Sequence, residues 1–424
     1  SSDVCSSDLI NLITTYSRDF SVKELPHVKV MRRFQAWDEL PVLPEGRIGI
    51  YVGSHTHFSE KQNRAIDRFC ATYDAVVICD HTSGYYGKYK LLPTLVQLQS
   101  DITSPFPPLD LMVHIGEISA ASFNDTIPAK EVWRVSEDGE LRDPFKKLTT
   151  VFQMSEEMFF LHYGKDGCNR HVLIDECREL FGEIYEQIPE LPFCNIWTAM
   201  QLSSRLPKGA LFHMGVSNTR RCWNMFQLPE SVESACNVGC CGIDGCVSTL
   251  VGASLVNPDR LCYVVVGDLT FFYDLNSLGN HHIGTNLRVM LVNNGRGTEF
   301  RLGIHHCNVF GDDADKYMAA AGHFGNKSPL LVKHYAEDLG FHYLSATTKE
   351  EFMTALSNFT NPQLSDHSMI LEVFTDSKDE SEALYLMSHI QSDAKGMVRS
   401  KLKDAVRNVA GEKGINAIKK ILKK

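Results

Sequence analysis

The sequence predicts an α/β protein with two Rossmann-like, three-layer domains, each built around a parallel sheet. Its 424 residues are 43% apolar and 22% charged, an ordinary globular composition with enough length for two domains. Short apolar or β-branched runs alternate with helical stretches over 10–190 and again over 195–375, as in strands joined by crossover helices. Pro189 and Pro192 mark the linker, so we expect domains over 10–190 and 191–385.

The first block should contain strands separated by helices. Ser59 and Gln62 have the spacing of a capping box, which predicts a helix starting after the first of these strands. Gly53 and Gly116 end two runs and permit tight turns, but no GxGxxG follows them, so we expect no bound nucleotide here. The predicted strands of the two blocks are 47–53, 75–80, 109–116 and 131–135, then 210–214, 261–267, 287–294 and 368–374.

The two ends of the chain differ from its body. Residues 1–9 repeat Ser-Ser-Asp around a lone cysteine without periodicity, and we interpret them as a non-native leader. Residues 386–424 form a basic tail, with ten Lys/Arg against three Asp/Glu from Gln391 onward and apolar residues at helical spacing. This tail could contact anionic lipid or a partner, but a solvated amphipathic helix packed on the acidic body is favoured.

Charge and cysteine usage restrict the class of protein. The formal charge of −10 excludes a general attraction for nucleic acid. No apolar run approaches the roughly 20 residues of a membrane-spanning helix. Several of the 13 cysteines lie inside apolar, strand-like runs, which is typical of reduced thiols. We therefore expect a cytoplasmic protein without a transmembrane segment or a nucleic-acid partner.

Three groups of residues could bind metal through nitrogen or sulfur, but their spacing favours other roles. His55 and His57 form an HxH pair without a third ligand type nearby, so a simple loop is favoured. His281 and His282 are expected to cap the end of a helix. A cysteine cluster lacks two clean CxxC pairs, which disfavours zinc. Its members are Cys236, Cys240, Cys241 and Cys246.

A magnesium site is predicted in the second block. One buried strand ends at Gly267 and Asp268, and the next ends at Asn294, 26 positions after Asp268. The carboxyl ends of neighbouring parallel strands meet at one edge of a sheet, where ligands bind in open α/β folds. The carboxylate of Asp268, the amide oxygen of Asn294 and the backbone carbonyl of Arg296 are hard oxygen ligands that suit Mg²⁺.

The same edge is suited to a diphosphate. Leu269 and Thr270 open a helix directly after Asp268. The free N–H groups of a helix start and a threonine hydroxyl favour phosphate oxygens, and the metal would neutralise the remaining charge.

The motifs around this edge resemble one known family. GDLTFFYDLNSL (267–278), followed by Asn-Asn, is close to GDLSxxxDLNxL of the MenD family, 2-succinyl-5-enolpyruvyl-6-hydroxy-3-cyclohexene-1-carboxylate synthase. The stretch 237–255, which contains GIDGCVST, resembles that family's NRGxSGIDGxxSTxxG, and GVSNTRR (215–221) resembles its GNSxxxR. The stretch 132–144 resembles its middle domain more weakly. The resemblance covers roughly 10–375.

This resemblance implies a thiamine-diphosphate-binding fold in the second domain and an enzyme dependent on thiamine diphosphate and Mg²⁺. Such enzymes decarboxylate a 2-oxo acid and transfer the acyl-anion equivalent to an acceptor, as homo-oligomers with the cofactor at a subunit interface. The implied cofactor contacts are Ile243 (as a wedge that bends the cofactor), Asp244, Gly267, Asp268, Leu269, Thr270, Asn294 and Arg296. The implied metal ligands are Asp268, Asn294 and Arg296, and the implied substrate contacts are Ser217, Arg221 and Ser234.

The sequence begins where the family's middle domain would begin. The family's pyrimidine domain contains the glutamate that activates the cofactor, and no residue here matches it, so we assign no catalytic residue and expect the chain alone to be inactive. Two alternatives stay open: another thiamine-diphosphate-dependent decarboxylase or carboligase of surface-polysaccharide or secondary metabolism, or a non-catalytic subunit that needs a separate pyrimidine-domain chain.

Departures from the family pattern concern the substrate. Val238 replaces the arginine of NRG, and Leu255 stands near another lost arginine, which argues against menaquinone-pathway substrates rich in carboxylates. Glu299 follows the metal motif and could be an acid–base group, although pairing with Arg296 or Arg301 is favoured. His305, with the neighbouring His306, could reach the substrate.

Overall fold

The computed structural model describes residues 30–102, 106–117, 127–239, 242–303, 305–322 and 328–392. These residues form two sheets, one of seven strands and one of six, in which every strand pairing is parallel. The predicted α/β class with two parallel sheets is therefore confirmed. The leader predicted at 1–9 and the tail from residue 393 onward lie outside the described residues.

The first sheet has the strand order β1-β7-β6-β5-β2-β3-β4. Its strands β2, β3 and β5 are almost wholly buried, because helices cover both faces of a parallel sheet. All four predicted strands of this block are present, and β1, β4 and β7 were not predicted. The strands are β1 (Arg32–Gln35), β2 (Ile48–Val52), β3 (Val76–Ile78), β4 (Lys90–Leu91), β5 (Leu109–Ile115), β6 (Ala129–Ser136) and β7 (Leu148–Gln153).

Among the described residues of this block, four helices accompany the sheet. They are α1 (Glu60–Tyr73), α2 (Thr94–Leu98), α3 (Glu156–Tyr163) and α4 (Val172–Glu186). The predicted capping box is confirmed: the Ser59 hydroxyl accepts from the N–H of Gln62 at 3.3 Å, and the Gln62 side chain accepts from the N–H of Ser59 at 2.9 Å. Phe69 of α1 packs edge-on against Phe160 of α3, which ties these two helices together.

The second sheet has the order β12-β13-β11-β10-β8-β9. Its central strands β10 and β11 are buried almost throughout, which explains their continuous apolar sequence. The four predicted strands are present, whereas the edge strands β9 and β12 were not predicted. The strands are β8 (Leu211–Met214), β9 (Glu233–Cys236), β10 (Cys262–Gly267), β11 (Leu287–Asn293), β12 (His342–Ala346) and β13 (Met369–Phe374).

The helices of the second block surround this sheet. They are α5 (Asn195–Leu202), α6 (Asn218–Trp223), α7 (Cys246–Val256), α8 (Asp268–Tyr273), α9 (Asp313–Tyr317), α10 (Leu331–Asp338), α11 (Lys349–Phe359) and α12 (Ser377–Ser388). The proline linker falls between α4 and α5. Within the described ranges, no helix combines the length and apolar character needed to cross a membrane.

Direct hydrogen bonds join the two blocks. The N–H of His81, after β3, donates to Asn224 Oδ1 at 3.0 Å, and the Ser234 hydroxyl of β9 donates to the His81 carbonyl at 2.6 Å. At the other end, Gln99 donates to the Met387 carbonyl of α12 at 2.8 Å. The domain boundary predicted between residues 385 and 386 thus falls inside a helix whose end is bonded to the first block.

Candidate magnesium and diphosphate site

The carboxyl ends of β10 and β11 bring Asp268 and Asn294 to one edge of the second sheet. The register pairs Gly267 with Val292, so the residues that follow the two strands emerge side by side. Asp268 is only 2% exposed, and its Oδ2 accepts the N–H of Gly295 at 2.6 Å. The spacing predicted that these two strand ends are neighbours, and the Asp268 carboxylate bridges them.

Asn294 supplies an oxygen without a hydrogen-bond partner. Its Oδ1 atom is buried and bonds to nothing in the described part of the chain. A buried amide oxygen left unsatisfied costs about 1–3 kcal/mol, and a ligand at this sheet edge would relieve that cost. Carboxylate and amide oxygens are ligands that Mg²⁺ prefers, and this donor set fits that ion.

The start of α8 is less open to a diphosphate than the sequence predicted. The Leu269 N–H donates to Asp268 Oδ1 at 2.8 Å, so a phosphate oxygen would have to share or displace this bond. Thr270 lies buried in the first turn of the same helix. The roles assigned to Gly267, Leu269 and Thr270 stay predictions.

The GIDG turn precedes α7, which begins after Gly245 with its φ of +130°. Ile243 is half-buried and Asp244 is exposed in this turn. Cys240 and Cys241 lie outside the described residues, whereas Cys246 is buried at the start of α7. The wedge role of Ile243 and the zinc alternative stay untested.

Ser217 adopts a strained backbone conformation at the turn between β8 and α6. Its φ of +60° and ψ of −121° are rare for any residue other than glycine. Such strain costs about 1–3 kcal/mol and is common where a side chain must be aimed at a ligand. The turn lies at the same sheet edge as Asp268, since β8 is the neighbour of β10.

Arg221 forms a bidentate ion pair with Glu299. Its Nη1 and Nη2 donate to the two carboxylate oxygens at 2.9 and 2.7 Å. Burial lowers the pKa of Arg221, but the hydrogen bonds and charge of Glu299 outweigh this effect and raise it above the usual value. The prediction that Glu299 forms an ion pair is confirmed, but both predicted partners were wrong.

Those two arginines pair elsewhere. Arg296 Nη1 donates to Asp315 Oδ2 at 2.9 Å, and Arg301 lies 3.6 Å from the other oxygen of Asp315. Asp315 belongs to α9, so these bonds attach the loop after β11 to that helix. Arg296 and Arg301 therefore both pair with Asp315, and Glu299 pairs with Arg221.

The histidine predictions have different outcomes. His55 and His57 lie in the loop between β2 and α1, as favoured, with His55 bonded to Glu156 at 3.1 Å. His281 and His282 do not cap a helix, because the helical turn Leu275–Gly279 already ends at Asn280, whose side chain accepts the N–H of His282. His305 accepts the N–H of Cys307 and packs edge-on against Phe300, so its role toward a substrate stays a prediction.

Ser234 lies well before the strand end that bears Asp268, and its substrate role stays a prediction. Its strand pairing places it level with Phe212 of β8 and hence with Tyr263 of β10. Tyr263 precedes Asp268 by five residues, about 16 Å along a strand at 3.3 Å per residue. The Ser234 hydroxyl bonds to His81 and joins the two blocks.

Two buried carboxyl groups near this edge were not predicted. Glu372 lies in β13 and accepts from Asn293 and from the Tyr343 hydroxyl, both at 2.7 Å. Glu380 lies in α12, and burial raises its pKa to about 7. A charged residue inside the apolar run of β13 could have indicated Glu372. An acidic residue in a first helical turn is too common to have indicated Glu380.

No protein-family model matches the chain. Among known proteins, a 2-succinyl-5-enolpyruvyl-6-hydroxy-3-cyclohexene-1-carboxylate synthase from Bacteroides fragilis is 33% identical over 263 residues, 61% of this chain and 45% of that protein. The synthase of Bacteroides thetaiotaomicron is 27% identical over 392 residues, 86% of this chain and 66% of that protein. The resemblance to the MenD family is confirmed.

A third MenD relative, from Phocaeicola vulgatus, is 32% identical over 265 residues, 61% of this chain and 44% of that protein. The chain thus spans less than half the length of two of these relatives and about two thirds of the other. This partial coverage agrees with the prediction that the chain resembles the middle and C-terminal domains of MenD proteins.

Proposed function

We propose that this chain carries the magnesium- and diphosphate-binding part of a thiamine-diphosphate-dependent enzyme. The enzyme would decarboxylate a 2-oxo acid and transfer the acyl-anion equivalent to an acceptor. One observation carries the proposal: the unpartnered, buried Oδ1 of Asn294 lies at the strand end next to that of Asp268. The resemblance to the MenD family, which uses this cofactor, supports the choice of ligand.

The chain's own residues would hold the diphosphate end of the cofactor. Asp268, Asn294 and the carbonyl of Arg296 would bind Mg²⁺, with the Asp268 carboxylate held in place by two backbone N–H groups. Thr270 and Leu269 would contact the diphosphate. When bound, the thiazolium ring of the cofactor supplies the electron sink for decarboxylation.

We also propose two domains and a homo-oligomeric assembly. The middle domain would cover 10–190 and the diphosphate-binding domain 191–385, in a cytoplasmic homo-oligomer with the cofactor at a subunit interface. An exposed apolar side chain close to the site supports an interface on this side: Tyr273 of α8, five residues after Asp268, is 68% exposed.

Calorimetric titration of the 424-residue chain with thiamine diphosphate, with and without Mg²⁺, tests this proposal. We expect Mg²⁺ to increase the affinity, and Asp268→Asn to remove about tenfold or more of that gain, since charged contacts are worth roughly 1.5–3 kcal/mol. Asp80→Asn is the matched control, because Asp80 is also a buried aspartate that follows a parallel strand.

The control variant should keep the full Mg²⁺-dependent gain. Both variants are first compared with the unchanged protein by circular dichroism to establish that they fold. A folded Asp268→Asn variant with an undiminished Mg²⁺ effect would overturn the assignment of the site.

A further inference from the structure

Glu299 occupies the hydrogen-bonding fork of Arg221. The two parallel bonds of 2.9 and 2.7 Å are the arrangement in which arginine binds a carboxylate most strongly. The side chain of Arg221 is only 23% exposed and that of Glu299 only 18%, so solvent screens this pair less than a surface ion pair. The chain therefore presents to Arg221 the same chemical group that a carboxylate ligand would present.

Local charge balance does not require this pairing. The other arginines of the same loop, Arg296 and Arg301, already have Asp315 as a partner. Glu299 forms its described ion pair with a residue 78 positions away along the sequence. The pair connects two different strand ends, since α6 follows β8 and the turn Thr298–Arg301 follows β11.

The pair lies beside the candidate site. Strands β8 and β11 flank β10, whose carboxyl end bears Asp268. The turn that holds Glu299 also packs on the start of α8: a Cβ placed on Gly297 would lie 2.9 Å from Leu269 Cδ1. A ligand that enters at this sheet edge would therefore meet Arg221 already neutralised.

We propose that Glu299 is a specificity-determining residue: its built-in carboxylate closes the Arg221 fork to carboxylate ligands. A ligand carboxylate would have to break two charge-assisted bonds and leave Glu299 half-buried without its cation. Binding of a neutral hydroxyl or carbonyl group would cost less free energy, because such a group can contact the remaining N–H groups of the Arg221 guanidinium without breaking the ion pair. The inference rests on the proposed function only in that the substrate approaches this edge.

Removal of the charge at Glu299 should expose the latent carboxylate site. Succinate serves as the carboxylate probe and succinamide as its neutral analogue, with dissociation constants measured by NMR titration of the full chain. We expect Glu299→Gln to bind succinate about tenfold more tightly than the unchanged protein, with succinamide affinity unchanged. Adding Arg221→Gln to this variant should abolish the gain.

Glu233→Gln is the matched control. Glu233 pairs with Arg260 at 2.9 Å. Both residues lie at the amino ends of the strands of the same sheet, opposite the end that bears Asp268. The substitution changes net charge by the same amount and also releases an arginine, yet it should not increase succinate binding as Glu299→Gln does. An equal gain would show a general charge effect and overturn the proposal.

A folded Glu299→Gln variant whose succinate affinity equals that of the unchanged protein would also overturn it. If Glu299→Gln does not fold, Glu299→Met, of similar volume and without charge, provides the same comparison. The thiamine diphosphate titration on these proteins separates the two proposals, because loss of its Mg²⁺ dependence reports on Asp268 and the succinate gain reports on Arg221.

Discussion

Glu380 should make the stability of this protein depend on pH. The side chain is 1% exposed, and its Oε1 accepts the Asn195 N–H at 2.9 Å and the Thr375 hydroxyl at 3.0 Å. Its Oε2 has no hydrogen-bond partner among the residues that the structure describes. Burial raises the pKa of this carboxyl from the ordinary 4.5 to about 7.

A carboxyl group with a raised pKa in the folded state favours folding only while it stays protonated. Above pH 4.5 the unfolded chain releases this proton, whereas the folded protein retains it up to about pH 7, so stability falls as pH rises through this window. Each whole unit of pKa difference corresponds to about 1.4 kcal/mol. The ionised side chain should therefore cost about 3 kcal/mol at pH 8, and about 2 kcal/mol of this should develop between pH 5.5 and 8.

Urea unfolding of the unchanged protein and of Glu380→Gln, at pH 5.5 and 8, measures this effect. Glutamine keeps an oxygen for Asn195 and Thr375 but does not titrate, so its stability relative to the unchanged protein should rise by about 2 kcal/mol between these pH values. Burial lowers the pKa of His81 to about 4, but this group titrates equally in both proteins and cancels in the difference. A difference independent of pH would refute the reasoning.

Two further predictions concern local backbone features. Ser217→Gly should stabilise the fold by about 1 kcal/mol, because glycine relieves the backbone strain at φ +60°. Ser217→Ala should give no such gain. Equal thermal stability of the two variants would contradict this prediction. Ser59→Ala should cost about 1 kcal/mol of unfolding free energy through loss of the capping box of α1, and Ser59→Thr should keep most of it, as measured by urea unfolding.

The sequence predicted those elements whose signal is local and strong. Strands β10 and β11 form continuous apolar runs, and the polar residues that follow them mark the ligand-binding edge of a parallel sheet. The side-by-side placement of Asp268 and Asn294 followed from this rule alone. The edge strands β9 and β12 were missed because they are short and partly exposed, so their sequences lack a continuous apolar run.

The sequence could not predict which charged side chains meet across the sheet. Arg296 and Arg301 are close to Glu299 along the chain, which made them the natural candidates. The actual partner, Arg221, comes from β8 and α6, two strand positions away from β11. That choice depends on strand order, which hydrophobic periodicity does not encode. The position of Ser234 along β9 likewise depends on strand register, which the sequence does not encode.

The buried acids of this sheet edge give a physical reason for a cation at Asp268. Burial raises the pKa of Glu372, and the nearby charge of Asp268 raises it further. Two buried carboxylates that repel one another are unfavourable unless a proton or a cation offsets their charge. The unpartnered oxygen of Asn294 lies at the same edge and adds a neutral ligand. A divalent cation between Asp268 and Asn294 would offset the repulsion between the carboxylates and also bind the Asn294 oxygen. A proton on Glu372 would remove only the repulsion, because the Asn294 oxygen would stay unsatisfied.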